Sequence, residues 1–174
     1  MNDMVYNANT KLSEHFNLGD FFDGGFNKRH ILQDQAGLSK ADIVANLANL
    51  AENVVEKIAP YLPGGISGYR KQWRINSGYR STAGNRASSG SNISQHCKGQ
   101  AVDIQIAGGS KSAHFEMIQK IANTCPFDQL ILEYSPNGIT AWIHCSFDKN
   151  RMRQDCRTIN LATGYSGKGF TLFS

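Results

Sequence analysis

The chain has 174 residues, with 18 Lys and Arg against 14 Asp and Glu, a formal charge of +4. That length predicts one domain, residues 1–174. Charged residues make up 18% and hydrophobic ones 40%, a balance that excludes charge-driven disorder. The positive excess is spread along the chain. It lacks the basic stripe of a nucleic-acid binder, so no nucleic-acid partner is expected.

The N-terminal Met1-Asn2-Asp3-Met4-Val5-Tyr6-Asn7 offers neither a basic nor an apolar block. No secretory signal peptide is therefore expected, and synthesis in the cytoplasm is. No apolar run approaches the ~18–20 residues of a membrane span, so no membrane insertion is expected. Cys97, Cys125, Cys145 and Cys156 lack C-x-x-C spacing. They read as free thiols, with a disulfide as the alternative.

In chain order, residues 1–37 are rich in Phe16, Phe21, Phe22 and Phe26. They predict short helical turns forming an N-terminal packing segment on a core of residues 38–174. Ser39 with Asp42 makes a capping box, and Pro60 marks a stop. Between them Ile43, Leu47, Leu50, Val54 and Ile58 form one apolar helical stripe. Residues 63–68 predict a turn, and Trp73 and Ile75 alternate with polar residues as a strand entering Ser77-Gly78-Tyr79-Arg80. Residues 81–95 read as a Ser/Gly/Asn-rich loop, and loops of that length are more often functional than filler.

Residues 100–106 alternate as a second strand. A helix follows, capped by Ser110 or Ser112, with Phe115, Ile118 and Ile121 inward and Pro126 as its end. Asn137-Gly138 between two β-rich runs signals a hairpin. Lys149-Asn150-Arg151-Met152-Arg153 reads as a solvated loop, and Gly164-Tyr165-Ser166-Gly167-Lys168-Gly169 as a C-terminal turn. His15, His30 and His114 have no ligand-spaced partner and predict surface roles. The order of elements gives an α+β fold with an antiparallel sheet.

The chemistry gathers on His96, Asp103 and His144. Neutral imidazole and carboxylate are good zinc ligands, and three of them leave a fourth position for water. His96 and Asp103 must double back to reach one ion, and Gly99 supplies the permissive backbone. By spacing alone, a His followed by an Asp is more often a pair of surface polars, so the hairpin carries weight. A two-residue loop at Asn137-Gly138 would place Glu133 opposite Trp142 and Ile131 opposite His144. Glu133, Trp142 and His144 then share one face. An acid within diagonal reach of a ligand is the arrangement of a general base beside a metal. A solvent-facing Glu133 is the plainer alternative.

Ser94-Gln95-His96-Cys97-Lys98-Gly99-Gln100-Ala101-Val102-Asp103 matches S-x-H-x-x-G-x-A-x-D at every fixed position. In this it resembles the zinc D-Ala-D-Ala carboxypeptidase family, which includes D,D-dipeptidases, phage L-alanyl-D-glutamate endolysins and, distantly, the hedgehog domain. Ser77-Gly78-Tyr79-Arg80-Ser81 is similar to the family's S-G-Y-R-S, and Trp142-Ile143-His144 to its W-x-H. Lys11-Leu12-Ser13-Glu14-His15-Phe16 resembles the opening of phage-type members.

The resemblance implies a hedgehog/DD-peptidase-like fold with one Zn2+ per chain on His96, Asp103 and His144 and helices on one side of the sheet. It implies Arg80 as the fork that holds substrate, with Ser94 and Tyr79 beside it. Some relatives carry their glutamate three residues before the last histidine, where Ala141 stands here. Phage-type members use the preceding strand, which implies Glu133.

The expected function is a zinc metallopeptidase acting on peptidoglycan stem peptides. The expected setting is the cell wall, as a phage endolysin released with holin help or a component of a virion tail. The alternative is a non-catalytic, zinc-containing wall-binding or virion structural module.

Overall fold

The computed structural model describes residues 5–88, 90–91 and 93–173. Among the described residues six strands form one sheet: β1 (Trp73–Ser77), β2 (Ala101–Ile106), β3 (Gln129–Tyr134), β4 (Ala141–Ser146), β5 (Asp155–Asn160) and β6 (Tyr165–Lys168). Their spatial order is β1-β2-β4-β3-β5-β6. All neighbouring pairs are antiparallel except β3 with β5, which run parallel. The α+β class and the largely antiparallel sheet are as expected.

Strand alternation divides the sheet into two faces. Val102, Ile104, Leu130, Leu132, Tyr134, Ile143 and Cys145 join the hydrophobic core on one face. Helix α1 (Lys40–Leu50) and a second long helix, Lys111–Ala122, add Ile43, Leu47, Leu50, Met117, Ile118 and Ile121 to that core. Asp103, Ile131, Glu133, Trp142 and His144 alternate onto the opposite face. The core is therefore also the platform of the site.

Helix α1 starts where the sequence predicts. Ser39 Oγ accepts the Asp42 amide, and Asp42 Oδ2 accepts the Ser39 amide, closing the capping box. Its stripe of Ile43, Leu47 and Leu50 is fully buried. The stripe does not continue as one regular α-helix to Pro60. A π-helical turn over Ala51–Val55 intervenes before the single α turn α2 (Glu56–Ile58), and Pro60 lies in a 3₁₀ turn, Ala59–Tyr61. Just beyond the π turn, Glu56 accepts Ser13 Oγ and the His15 amide at 2.7 Å each. Those bonds fasten the N-terminal segment, whose Leu12, Phe16, Leu18, Phe21 and Phe22 are buried as its aromatic content predicts.

Five further local expectations need correction. Residues 81–95 are not all loop, because Ser81 accepts the Gly84 amide and caps a short helix α3 (Thr82–Ala87); Ser89 and Asn92 lie outside the described residues. The Gly164–Gly169 stretch is no terminal turn but mostly strand β6, paired to β5. The β3–β4 loop inside its last hydrogen-bonded pair is four residues, 136–139, rather than two, since the Ser135 amide donates to the Thr140 carbonyl. Lengthening that loop symmetrically leaves the register as expected, with Glu133 opposite Trp142 and Ile131 opposite His144.

The fourth correction concerns histidines. His30 and His114 are buried, at 2% and 1% exposure. His114 lies in helix α4 (Lys111–Ala122), capped by Ser110. Its Nε2 accepts the Ile106 amide at 3.1 Å and its Nδ1 donates to the Ser110 carbonyl. Burial lowers its pKa, which keeps the ring neutral in that bridge. His15 alone of the three is exposed as expected.

The cationic stretch 149–153 is also more than a solvated loop. Asp128, fully buried, accepts Arg153 Nε at 2.6 Å and Arg153 Nη2 at 2.7 Å. Burial alone would raise the Asp128 pKa, but these bonds outweigh it and hold the carboxyl below its ordinary value. A depressed folded-state pKa stabilises the fold above the unfolded value of about 3.9 and loses that effect as pH falls. Asp128→Asn should cost about 2 kcal/mol at pH 7, the scale of a charged hydrogen bond. Urea melts should show the difference from wild type shrinking as pH drops below about 4.

Candidate metal centre

Two strands and one turn bring three ligand-type side chains together. Asp103 on β2 stands directly opposite His144 on β4 in the antiparallel register. His96 arrives from a 3₁₀ turn, Gln95–Lys98, which ends on Gly99 in a left-handed conformation, φ 69°. A Cβ at Gly99 would lie 2.6 Å from the Ile43 carbonyl and 2.9 Å from Leu47 Cγ. The turn thus needs glycine twice, for its backbone angle and for its close approach to helix α1. That meets the expectation that Gly99 lets the chain double back.

The donor atoms form a compact triangle. His96 Nε2 lies 3.2 Å from His144 Nδ1, His144 Nδ1 lies 3.0 Å from Asp103 Oδ1, and His96 Nε2 lies 3.3 Å from the same oxygen. Tetrahedral ligation at Zn–N distances of 2.0–2.1 Å requires ligand separations of about 3.3 Å. The triangle matches one face of such a tetrahedron, and two imidazoles with a carboxylate suit zinc chemically. All three residues are at least nine-tenths buried. The residues present fit the ion.

The supports fix which atoms face it. His96 Nδ1 donates to the Gly78 carbonyl at 2.6 Å, so Nε2 is left with its lone pair toward the triangle. Asp103 gives Oδ1 to the histidines while Oδ2 accepts Arg80 Nη2 at 2.8 Å. Burial favours the neutral form of every member, and the outcome differs with partners. Desolvation lowers the His96 pKa. At His144 the hydrogen bond and charge of Asp103 overcome desolvation and raise it. Asp103 is held well below the ordinary carboxylate range, because the two histidines outweigh its burial.

Glu133 sits on the same face, paired with Trp142, two residues along β4 from His144. Burial pushes its carboxyl up to about 7, with the Asp103 charge adding to the rise and His144, Arg80 and Trp142 opposing it. A carboxyl of that pKa exchanges protons near neutrality.

The remaining expected site residues separate. Arg80 is at the triangle, but its fork is partly engaged: Nε donates to Ser77 Oγ at 2.9 Å while Nη2 holds Asp103. Ser94, half-buried, lines a cavity of about 220 Å³ with Thr82, Arg86 and Cys97. Tyr79 corrects the expectation of a substrate contact. It is fully buried against Phe22, with its hydroxyl donating to the Ile31 carbonyl. The four cysteines are free, and Cys145 points into the core as strand alternation from His144 requires.

Sequence reasoning missed the residues that hold the ligands in place. Gln35 Nε2 donates to the carbonyls of Arg80 (2.9 Å) and Cys97 (2.7 Å), and its Oε1 accepts the Thr82 amide (2.8 Å). It staples the Ser77–Ser81 segment to the His96 turn. Asn46 Nδ2 adds a bond to the Lys98 carbonyl. A polar Asn inside an apolar helical segment was the one available signal for such a support.

Residues 36–146 match the family model described as Peptidase M15. That span contains the triangle, Arg80, Ser94 and Glu133. The chain belongs to the peptidase M15 family. M15 peptidases are zinc-dependent metallopeptidases, and the triangle of this member supplies a donor set for that metal. No curated protein matches the chain. No helix among the described residues is long and apolar enough to cross a membrane.

Elemental analysis should find one zinc per chain in wild type. His144→Ala should lose most of it, since two donors no longer close the triangle. Retention of a full equivalent by that variant would redraw the ligand set.

Proposed function

We propose that this M15 peptidase hydrolyses amide bonds in peptidoglycan stem peptides, through a zinc ion on His96, Asp103 and His144. The observation that carries the reading is the pairing of a metal-suited triangle with a half-buried acid of raised pKa on the same sheet face. A zinc ion bound there supplies Lewis acidity to the scissile carbonyl and lowers the pKa of an attacking water.

The protein's own groups do the rest. Glu133 accepts the proton of the attacking water and returns it to the leaving amine, a shuttle suited to its raised pKa. Arg80 keeps Asp103 oriented through Nη2 and presents the remainder of its fork to a substrate carboxylate or carbonyl. Ser94 is the N-cap residue of the turn that carries His96 and lines a cavity with Thr82, Arg86 and Cys97, where it would contact the bound peptide. His96 keeps one tautomer because the Gly78 carbonyl holds its Nδ1 proton. The setting is cell-wall degradation by a phage endolysin or a virion-borne enzyme. In this setting, holin-dependent release or a tail assembly brings it to the wall.

Purified muropeptides digested with wild type and read by mass spectrometry should show cut stem peptides, abolished by chelator and restored by zinc. Wall binding without released fragments would favour the non-catalytic module. Glu133→Gln should lower kcat by ~10²–10⁴, the contribution of a positioned base, with zinc content unchanged. Arg80→Lys should raise KM as well, because the charge remains while the fork is lost. Near-normal kcat in Glu133→Gln would place the base elsewhere.

A further inference from the structure

The structure assigns Asp128 and Gln95 as positioning residues of the metal centre: a buried carboxylate that holds the His96 turn against the strand bearing His144. The inference rests on the metal-site reading above. It starts from a group that the reaction does not use. Asp128 is a fully buried acid at the mouth of β3, outside the triangle.

Its contacts reach three separate segments. Oδ2 accepts Gln95 Nε2 at 2.9 Å, and Gln95 immediately precedes His96. The Gln95 carbonyl in turn accepts the Gln100 amide at 2.9 Å, so this residue closes the turn that contains His96. The Asp128 amide donates to the Ser146 carbonyl at 2.8 Å, two residues beyond His144 on β4. The Asp128 carbonyl accepts the Asp155 amide at 2.9 Å, at the start of β5. Arg153 closes the arrangement by donating Nε, Nη2 and its own amide to the carboxylate.

One residue therefore ties the His96 turn by its side chain and the His144 strand by its backbone. The geometry favours positioning over mere cohesion. Asp103 and His144 are already registered by strand pairing, whereas His96 comes from a four-residue 3₁₀ turn with no ladder to hold it. A charged acceptor is stronger than a neutral one, and Arg153 fixes its orientation through a bidentate fork. Gln95, at 7% exposure, has the buried setting in which such a bond is least exchanged with water. Loss of the Gln95 bond leaves the Asp128–Arg153 pair intact, so the two roles are separable.

The test measures zinc affinity in Gln95→Met by competition against a chelator of known affinity, alongside melting of the metal-free protein. Supporting residues around metal ligands typically change affinity by 10–100-fold, so the zinc Kd should weaken about tenfold or more. Gln95→Asn, whose amide is one methylene shorter, should weaken it in the same direction, and it serves if the methionine variant does not fold. The Gln95→Met/Asp128→Asn double variant should bind zinc no more weakly than the worse single one, as expected of residues acting in series. Zinc Kd within twofold of wild type in both Gln95 variants, with only the melting temperature lowered, would overturn the assignment while leaving the metal site standing. A wild-type chain that binds no zinc would overturn the metal site itself, and this inference with it.

Discussion

The antiparallel register between β2 and β4 is the constraint on which the site depends. It sets Asp103 opposite His144, and it does so because Val102, Ile104, Ile143 and Cys145 must all face the helices. A slip of one residue by either strand would turn its ligand, Asp103 or His144, into the hydrophobic core and bring its apolar neighbours to the opposite face. An ionisable group buried in an apolar layer would cost several kcal/mol. The energy that fixes the register is hydrophobic, and its chemical product is a pair of ligands 3.0 Å apart. The same argument covers Glu133. The β3–β4 pairing that buries Leu130, Leu132 and Tyr134 places the acid opposite Trp142, diagonal to His144.

Much of this was readable from the sequence, where one residue's character decides its place. Alternation at 100–106, the capping box at Ser39 and the Asn137-Gly138 turn signal each rest on local rules, and the elements they predict are present. The hairpin register survived a wrong loop length, because symmetric lengthening does not change which residues face one another. The triangle was legible through motif resemblance, and its compactness needed coordinates. Tyr79 shows the limit of carrying roles over by position. Its neighbour Arg80 reaches the triangle, yet Tyr79 itself faces Phe22 in the core.

What was not legible is long-range and polar. Gln35, Asp128 and Arg153 carry no periodic signal, and their partners lie 45, 33 and 25 residues away respectively. The burial of His30, whose ring meets Ser81 51 residues away, and of His114, whose partners are local backbone groups, carries no sequence signal either. A buried histidine, whether met by backbone groups as His114 is or by a hydroxyl as His30 is, looks in sequence like any lone histidine. The π turn at Ala51–Val55 also escaped, since the apolar spacing around it fits a regular helix equally well. Local propensity and patterning specify elements, while the polar contacts that lock them depend on how those elements meet.

The distribution of those contacts follows from where rigidity is lacking. Ligands on paired strands inherit their positions from a hydrogen-bonded ladder, but a ligand on a short turn does not. Polar support is concentrated on that turn. The Gly78 carbonyl fixes the His96 ring, and the Arg80 amide takes the His96 carbonyl. Gln35 takes the Cys97 carbonyl, Asn46 that of Lys98, and Asp128 the Gln95 side chain. Each bond adds only about 1 kcal/mol to overall stability. Together they restrict the one ligand whose freedom would otherwise weaken binding, because a site must be held within about 0.5 Å to act on its substrate. The sheet supplies two-thirds of the metal site through hydrophobic registration, and a ring of side-chain and backbone hydrogen bonds supplies the last third.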